Sequence, residues 1–349
     1  LCTNQILSVM HRQIATITGI ILLSGAILSC NSSHRKSSDV PAENAVALRE
    51  FNFFNADSAY NNVSRQVAFG PRVPGTAAHD ACRDWLVEEL RRFDADTVIV
   101  QNGSVVAYNG DVLPISNIIA SYAGEENDRI LLVAHYDTRP WADNETDSEL
   151  RAKPIPGAND GGSGVGVLLE IARNLNLRKP PVGVDILLVD AEDYGSNSGF
   201  TNSPETWCLG TQYWLKNMVP YNLGNLPRFG ILLDMVGGRD ARFHIEAFAN
   251  RYASVPTAKV WNEAKALGLN GIFINQVGGA VTDDHVFLTE AGIPTTNIIE
   301  CLNPVTSGFP PSWHTHADNM DQIDRASLEA VGRTVMSVLY REKPSVHNL

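Results

Sequence analysis

The sequence lacks the short signatures that most readily reveal an enzyme's chemistry. It contains no His-Glu-x-x-His run, which excludes the common helical zinc-protease motif, and no Gly-x-Ser-x-Gly elbow, which excludes the usual serine-hydrolase signature. The glycine-rich stretch 161–164 is not followed by the Gly-Lys-Ser/Thr of a phosphate-binding loop, so we attribute its glycines to close packing. Any chemistry must come from residues that are distant along the chain.

Cysteine and positive charge are also scarce for a chain of 349 residues. At most one disulfide could form among Cys82, Cys208 and Cys301, no spacing among them suggests a zinc knot, and we expect buried free thiols. The 27 Lys and Arg residues against 39 Asp and Glu give a net charge of −12. Such a surface repels phosphate backbones, which argues against a nucleic-acid partner.

The N-terminal stretch has the pattern of a secretory leader. A short basic segment, His11 and Arg12, precedes an apolar run from Ala15 to Ser29, and Cys30 ends a tetrapeptide typical of bacterial lipoprotein cleavage. The run is shorter than the roughly 20 residues that span a membrane. We predict that residues 1–43 are a lipoprotein leader and polar tether, with a plain signal peptide or an uncleaved anchor as alternatives. The protein is then expected in the bacterial periplasm, attached to a membrane only through lipidated Cys30.

Repeats and a second linker are absent, which favours one domain over residues 44–349. Amphipathic periodicity predicts helices at 81–93, 165–175, 209–218, 255–266 and 326–340. Apolar runs predict strands at 97–101, 105–108, 117–121, 130–134, 184–189, 229–233, 242–247 and 295–299. Alternating strands and helices indicate an α/β fold, a three-layer α/β/α sandwich around a mixed, mostly parallel sheet.

The segment Leu187–Gly195 organises the rest of the chain. Four apolar residues, Ile186–Val189, are followed by three acids within four positions, Asp190, Glu192 and Asp193. Carboxylates at the end of a buried strand are costly unless protons or cations compensate them. The carboxyl edge of a parallel sheet is also where ligands usually bind. For a lone acidic pair, a helix cap in a solvated loop remains the more common explanation.

Other acids and histidines occupy equivalent places. They follow predicted strands or begin predicted helices: His135, Asp137, Asp160, Asp234, Asp283 and His314. Corners of this kind can converge on one edge of an open sheet, where the acids repel each other unless a cation lies among them. Mixed imidazole and carboxylate donors suit zinc at a site that is open to a substrate.

The same series resembles the zinc aminopeptidase-like superfamily, and within it the glutaminyl cyclases. The resemblance extends from Pro71 to Asp324 and lies in the segments His135–Asp137, Gly157–Asp160, Glu192–Asp193, Asp234, Asp283–His285 and Trp313–Thr315. The paired acids before His285, the Trp-His-Thr run and the preceding Phe309-Pro310 favour the cyclase branch.

The resemblance implies a single zinc ion held by Asp160, Asp193 and His314. Many family members have Glu where this chain has Asp193, which is one methylene shorter. The resemblance further implies that Glu192 is the general base and acid, and that Asp234 and Asp283 form a hydrogen-bonded acidic pair. It also implies a substrate pocket lined by Trp207, Phe309 and Trp313. The implied reaction converts the N-terminal glutamine of a peptide to pyroglutamate with release of ammonia, and we expect a monomer.

Several alternatives stay open at this point. Asp160 or Asp283 could be only a helix cap, and His316 could replace His314 as ligand. His135 is favoured as a structural residue, but with Asp234 it could complete a second metal site. The alternative functions are therefore a two-zinc aminopeptidase and a non-catalytic envelope receptor that retains the fold.

Overall fold

The computed structural model describes residues 53–124, 126–197 and 203–345. The predicted leader, its tether and Cys30 lie outside the described residues. Within them, no helix is long and apolar enough to cross a membrane.

The described chain contains eight strands and nine α-helices. The strands are β1 (Thr97–Val106), β2 (Val112–Tyr122), β3 (Arg129–His135), β4 (Gly183–Val189), β5 (Phe229–Leu233), β6 (Phe243–Ile245), β7 (Phe273–Val277) and β8 (Thr295–Ile298). The helices are α1 (Ala56–Ala68), α2 (Ala77–Arg92), α3 (Ser148–Arg151), α4 (Gly162–Leu177), α5 (Leu209–Lys216), α6 (Ala247–Tyr252), α7 (Ser254–Ala266), α8 (Asp284–Glu290) and α9 (Arg325–Arg341).

The central sheet has the strand order β1-β2-β4-β3-β5-β8. Strands β4, β3, β5 and β8 are parallel, whereas β1 and β2 are antiparallel to their neighbours. Residues alternate between two apolar cores along each parallel strand. On β3, for example, Leu132 packs on one face with α1, α4 and α9, and Leu131 packs on the other with Trp214 of α5 and Leu288 of α8. The parallel part of the sheet is therefore buried on both faces, as the predicted three-layer sandwich requires.

Several local predictions were wrong. One continuous strand, β1, replaces the two predicted at 97–101 and 105–108, because its whole length pairs with β2. The predicted strand at 242–247 shortens to β6, since Glu246 caps α6 there and its carboxylate accepts the N–H groups of Phe248 and Ala249. Strand β6 pairs with β7, which the sequence pattern did not indicate because only one of its residues is buried.

Helix α4 packs very closely against the sheet. A Cβ at Gly161 would collide with the carbonyl oxygen of His135, and one at Gly164 with that of Leu233. The glycines of 161–164 are therefore a packing requirement, as expected, and they bring the start of α4 to the carboxyl edge of β3 and β5.

Candidate active site

The carboxyl ends of the parallel strands place the predicted residues around one cavity. Strand β3 ends at His135, β4 is followed by the acidic segment at 190–193, and β5 by Asp234. The cavity measures about 280 Å³. All nine predicted site residues line it: Asp160, Glu192, Asp193, Trp207, Asp234, Asp283, Phe309, Trp313 and His314.

Three of these residues converge on one point. His314 Nε2 lies 3.2 Å from Asp193 Oδ1 and 3.7 Å from Asp160 Oδ2. Donor atoms around a tetrahedral zinc ion with bonds near 2.1 Å lie about 3.4 Å apart. Asp160 Oδ2 and Asp193 Oδ2 are buried and have no hydrogen-bond partner. Two orphaned carboxylate oxygens beside an imidazole nitrogen fit a zinc ion well, and they would be costly without a cation.

The sequence left alternative roles open for Asp160 and for His314, and the geometry does not support those alternatives. Gly161, not Asp160, is the N-cap of α4. The imidazole of His316 bonds to Glu145 in a half-exposed position, whereas His314 is 1% exposed and lines the cavity. Asp160 and His314 are thus free of the structural roles that could have explained them.

Outer contacts fix two of the three converging side chains. His314 Nδ1 faces Asn197 Nδ2 at 3.3 Å and Asp143 Oδ2 at 3.6 Å, which leaves Nε2 to face the two carboxylates. Arg139 is fully buried and donates to the Asp193 carbonyl at 3.0 Å and to Asp193 Oδ1 at 3.3 Å. A carboxylate behind a ligating imidazole orients the ring and raises its basicity.

Glu192 lies next to this group but is not part of it. Burial raises the pKa of Glu192 well above its usual value, and the charges of Asp283 and Asp193 raise it further. The thiol of Cys208 donates a hydrogen bond to Glu192 Oε1 at 3.2 Å. Glu192 is therefore a carboxyl group poised to hold and release a proton at the cavity wall.

Asp234 and Asp283 influence each other through charge. The hydrogen bond expected between them is not found among the contacts of the described residues. Asp234 Oδ1 lies 3.2 Å from His135 Nε2, while Asp283 Oδ2 accepts from Asn297 at 2.7 Å. Burial raises the pKa of Asp234 to about 7, with a further contribution from Asp283. Asp283 also caps α8 through the N–H of Asp284, so the capping explanation and the place in the cavity are both correct.

His135 is buried behind Asp160 and Asp234. Its Nε2 lies 3.2 Å from an oxygen of each, and the Gly161 N–H donates to the same atom at 3.2 Å. Burial lowers the pKa of His135, but hydrogen bonds to Asp137, Asp160 and Asp234 outweigh this and hold it well above the ordinary value. An unprotonated Nε2 accepts from Gly161, and a protonated one donates to the carboxylates. Neither arrangement leaves a lone pair on Nε2 for a metal ion.

Aromatic rings form the remaining walls of the cavity. Phe309 and Trp313 lie 4.5 Å apart between ring centroids, and Trp313 stacks on His314 at 3.8 Å. Trp207 lies parallel to the His314 ring on another side and is backed by the Arg139 guanidinium, 4.9 Å from its centroid. The pocket therefore combines apolar walls with a small set of converging polar atoms, as small-molecule sites do.

The backbone beside the site is strained. Ala191, Cys208, Met235 and His314 adopt left-handed conformations, with φ between 48° and 55°. Such φ values are uncommon outside glycine and cluster at functional sites. Each of these residues contacts or adjoins a cavity carboxylate, and nothing in their identity indicated this conformation.

Sequence reasoning missed the supporting residues Arg139, Asp143 and Asn197. They bond to one another and to His314 or Asp193, and Arg139 also bonds backbone carbonyls, which leaves no spacing pattern. For Arg139 and Asp143, the only available signal was that they lie close to His135–Asp137 in sequence. Cys82, Cys208 and Cys301 are buried free thiols, as predicted.

Several known proteins are similar to this chain in sequence and in structure. A sequence model of peptidase family M28 matches residues 117–339. A glutaminyl cyclase of Bacteroides thetaiotaomicron is 50% identical, with a TM-score of 0.80 over 83% of this chain and 99% of that one. A Zn-dependent exopeptidase of Parabacteroides distasonis is 48% identical, with a TM-score of 0.79 over 83% of this chain and 99% of that one.

A more distant relative is considerably longer. Aminopeptidase YwaD of Bacillus subtilis is 27% identical over 289 residues, which are 80% of this chain but only 55% of that protein. The chain therefore spans about half the length of this curated relative. Names among these similar proteins divide between cyclase and exopeptidase, so they do not by themselves decide the reaction.

Proposed function

The chain belongs to peptidase family M28, and from that premise we propose that it is a zinc-dependent glutaminyl-peptide cyclotransferase. Its substrate would be a peptide or protein with an N-terminal glutamine, converted to pyroglutamate with release of ammonia. The observation that carries this proposal is the convergence of Asp160, Asp193 and His314 on one point beside Glu192, in a cavity walled by aromatic rings.

Asp160, Asp193 and His314 would hold the zinc ion. When bound there, zinc supplies Lewis acidity toward the oxygen of the glutamine γ-carboxamide. The orphaned oxygens Asp160 Oδ2 and Asp193 Oδ2 support this assignment because they have no other partner. One ion per chain is our proposal, and the position of His135 Nε2 supports it.

The residues of the chain account for the proton transfers. The α-amine attacks the γ-carboxamide carbon of the same residue, so the pocket needs only to hold the side chain in a ring-closing pose. Glu192 takes the proton from the attacking amine and delivers it to the carboxamide nitrogen, whose bond to carbon breaks and which leaves as ammonia. The raised pKa of Glu192 suits both halves of this exchange. Asp234 and Asp283 are close like charges, so one of them would carry a proton near the departing nitrogen.

The cavity also supports the substrate class. Trp207, Phe309 and Trp313 give flat apolar walls on either side of His314. A glutamine side chain and its α-amine are small enough for a cavity of about 280 Å³. The cyclase of Bacteroides thetaiotaomicron, half identical in sequence, favours this reaction.

A two-zinc aminopeptidase is the second candidate, because His135, Asp160 and Asp234 form a second cluster of donor atoms. Asp160 would then bridge two ions about 3.5–4 Å apart. His135 Nε2 would have to lose its contact with the Gly161 N–H before it could bind a metal. We therefore favour the cyclase.

The test is to incubate the purified protein with a glutamine-initiated peptide and measure ammonia and free glutamine. We expect ammonia in a one-to-one ratio with pyroglutamyl peptide and no free amino acid. Free glutamine without ammonia would establish the aminopeptidase instead. Glu192→Gln is the matched negative control, because it keeps the shape of the side chain and removes its proton exchange. If that variant kept every measurable function, the result would favour a non-catalytic envelope receptor that retains the fold.

A further inference from the structure

Asp137 is a buried carboxylate that bonds the backbone of the proposed catalytic segment. Its Oδ1 accepts the N–H of Glu192 at 3.1 Å, and its Oδ2 accepts the N–H of Asp193 at 3.2 Å. The side chain is fully buried. One carboxylate therefore fixes two consecutive peptide groups, the first carrying the general base and the second a proposed metal ligand.

Asp318 repeats this arrangement at the segment that carries Asp160. Its Oδ1 accepts the N–H of Asn159 at 2.8 Å, and its Oδ2 accepts that of Asp160 at 3.1 Å. Asp318 is 1% exposed. Its carbonyl also accepts the N–H of Ala158 at 3.2 Å, so three hydrogen bonds tie the segment before α4 to this one residue.

We propose that Asp137 and Asp318 are positioning residues whose carboxylates, here called the carboxylate clamps, set the metal affinity of the site. Each clamp holds the backbone of one ligand, Asp193 or Asp160, before the metal binds. The inference rests on the metal centre of the proposed function, but it does not depend on which reaction the enzyme catalyses.

The need for the clamps follows from where the ligands lie. Asp160 precedes α4 and Asp193 follows β4, so neither has its amide in a helix or in the sheet. Each clamp accepts the N–H groups of two consecutive residues, one on each of its oxygens. Two such bonds from one planar group fix both the position and the rotation of the peptide, and hence the direction of the ligand's Cβ.

The clamps also connect the three ligands. Asp318 lies four residues after His314, and its own N–H donates to the Thr315 carbonyl at 3.1 Å, in the turn that follows this ligand. The segment carrying His314 is thereby joined to the segment carrying Asp160. Asp137 follows β3 and joins that strand to the end of β4. A site whose ligands are held in this way loses little entropy when the metal binds.

An Asn at either position provides a specific test. A carboxamide has nearly the shape of a carboxylate but offers one acceptor and one donor, so its NH₂ group would face a backbone N–H. We expect Asp137→Asn and Asp318→Asn to bind zinc about 10–100-fold more weakly than the wild type, a loss typical of residues behind metal ligands. The measurement is zinc affinity of the metal-free full-length protein, obtained by competition with a chelator.

Asp185→Asn is the matched control. Asp185 is also a fully buried carboxylate, but it lies in β4 and pairs with Arg129, away from the cavity. This variant should lose stability and keep the zinc affinity of the wild type. Equal weakening in all three variants would mean that zinc affinity only reports general loosening of the fold, and would overturn the inference.

The two clamps should differ when zinc is saturating. Asp318 holds a ligand segment only, so excess zinc should restore kcat in Asp318→Asn. Asp137 also holds Glu192, so Asp137→Asn should keep a deficit in kcat after its zinc site is filled. Restoration of both variants to wild-type kcat would contradict the second role of Asp137.

Folded Asn variants with wild-type zinc affinity would overturn the inference. If an Asn variant does not fold, Asp→Glu at that position keeps the charge but displaces the oxygens by one methylene, and its affinity should fall likewise; unchanged affinity there would also overturn it. Zinc binding needs no substrate, so a protein that releases no ammonia but shows these losses would reject the cyclase and keep the clamps.

Discussion

The two ends of strand β4 bury their acids in opposite ways. At the amino end, Asp185 receives two hydrogen bonds from Arg129, at 2.6 and 2.8 Å, and another from the Tyr221 hydroxyl. Beyond the carboxyl end, Glu192 and Asp193 lie among other buried acids, and an oxygen of Asp193 has no hydrogen-bond partner.

The difference separates an acid that serves the fold from acids that serve a site. A buried carboxylate that pairs with a guanidinium is neutralised, and its oxygens already accept hydrogen bonds, so they are not available to a ligand. The acids around the cavity have raised pKa values, caused first by burial and then by one another, at Glu192, Asp193 and Asp234. Arg139 and the two histidines, His135 and His314, offset only part of this charge. A cation or bound protons would compensate the rest, and this is why we propose the metal there.

The largest effect is expected when Glu192, the proposed general base beyond the carboxyl end of β4, is replaced. Glu192→Gln should lower kcat for glutamine-initiated peptides by about 10²–10⁴-fold, the usual contribution of a general base. Its stability should be unchanged or higher, because the variant removes one of several crowded acids. Steady-state kinetics and thermal unfolding of the same preparation measure both. A strongly destabilised variant with normal kcat would mean that Glu192, like Asp185, serves the fold and not the site.

At the amino end of β4, replacement of Asp185 should lower stability and leave kcat unchanged. Asp185→Asn leaves the Arg129 guanidinium buried with only part of its partners, and breaking a buried ion pair costs about 3–5 kcal/mol. We expect a loss of this size in the free energy of unfolding, measured by denaturant titration, and an unchanged kcat for the folded protein. Loss of kcat without loss of stability would show that Asp185 acts on the site.

The pH dependence of stability should reveal the uncompensated end directly. Burial raises the pKa of Asp234 to about 7 and that of Asp284 to about 8. The folded state therefore keeps these protons at pH values where the unfolded chain has released them, so stability falls as pH rises from about 4 towards 8.

For this pH prediction, we expect the metal-free protein to melt at a lower temperature at pH 8 than at pH 6, in scans with a chelator present. Zinc should reduce or reverse the difference, because metal binding favours the deprotonated carboxylates. A metal-free protein that melts at the same or a higher temperature at pH 8 would mean that these acids are compensated already.

The smallest effect concerns the thiol beside the base. Cys208→Ala removes the hydrogen bond to Glu192 Oε1, and one such bond contributes about 0.5–1.5 kcal/mol. We expect kcat to fall about 3–10-fold, and Cys208→Ser, which keeps a donor, to retain most of it. Equal kinetics in both variants and the wild type would remove Cys208 from the account.

The sequence predicted the parallel strands and the acids that follow them, because buried parallel strands are nearly continuous apolar runs. Position after a strand then brings Glu192 and Asp234 to one edge of the sheet, and position before a helix brings Asp160 to the same edge. The amphipathic pattern also placed α7 and α9 within a residue or two of their observed ends.

Other features could not be predicted because their cause is tertiary. Helix α1 has few apolar residues and forms where Ala59 and Val63 pack on α4. Strand β7 pairs along only a short length with β6 and exposes most of its residues. Asp318 acts through backbone amides that lie about 160 positions away, and the left-handed φ of His314 depends on its surroundings.

The most direct test of the central claim is an anomalous difference map, collected at the zinc absorption edge from crystals of the zinc-loaded protein. The account predicts one peak per chain, bonded by Asp160, Asp193 and His314, with Glu192 beside it and not bound. No peak among these three residues, or a second peak of equal height at His135 and Asp234, would contradict it.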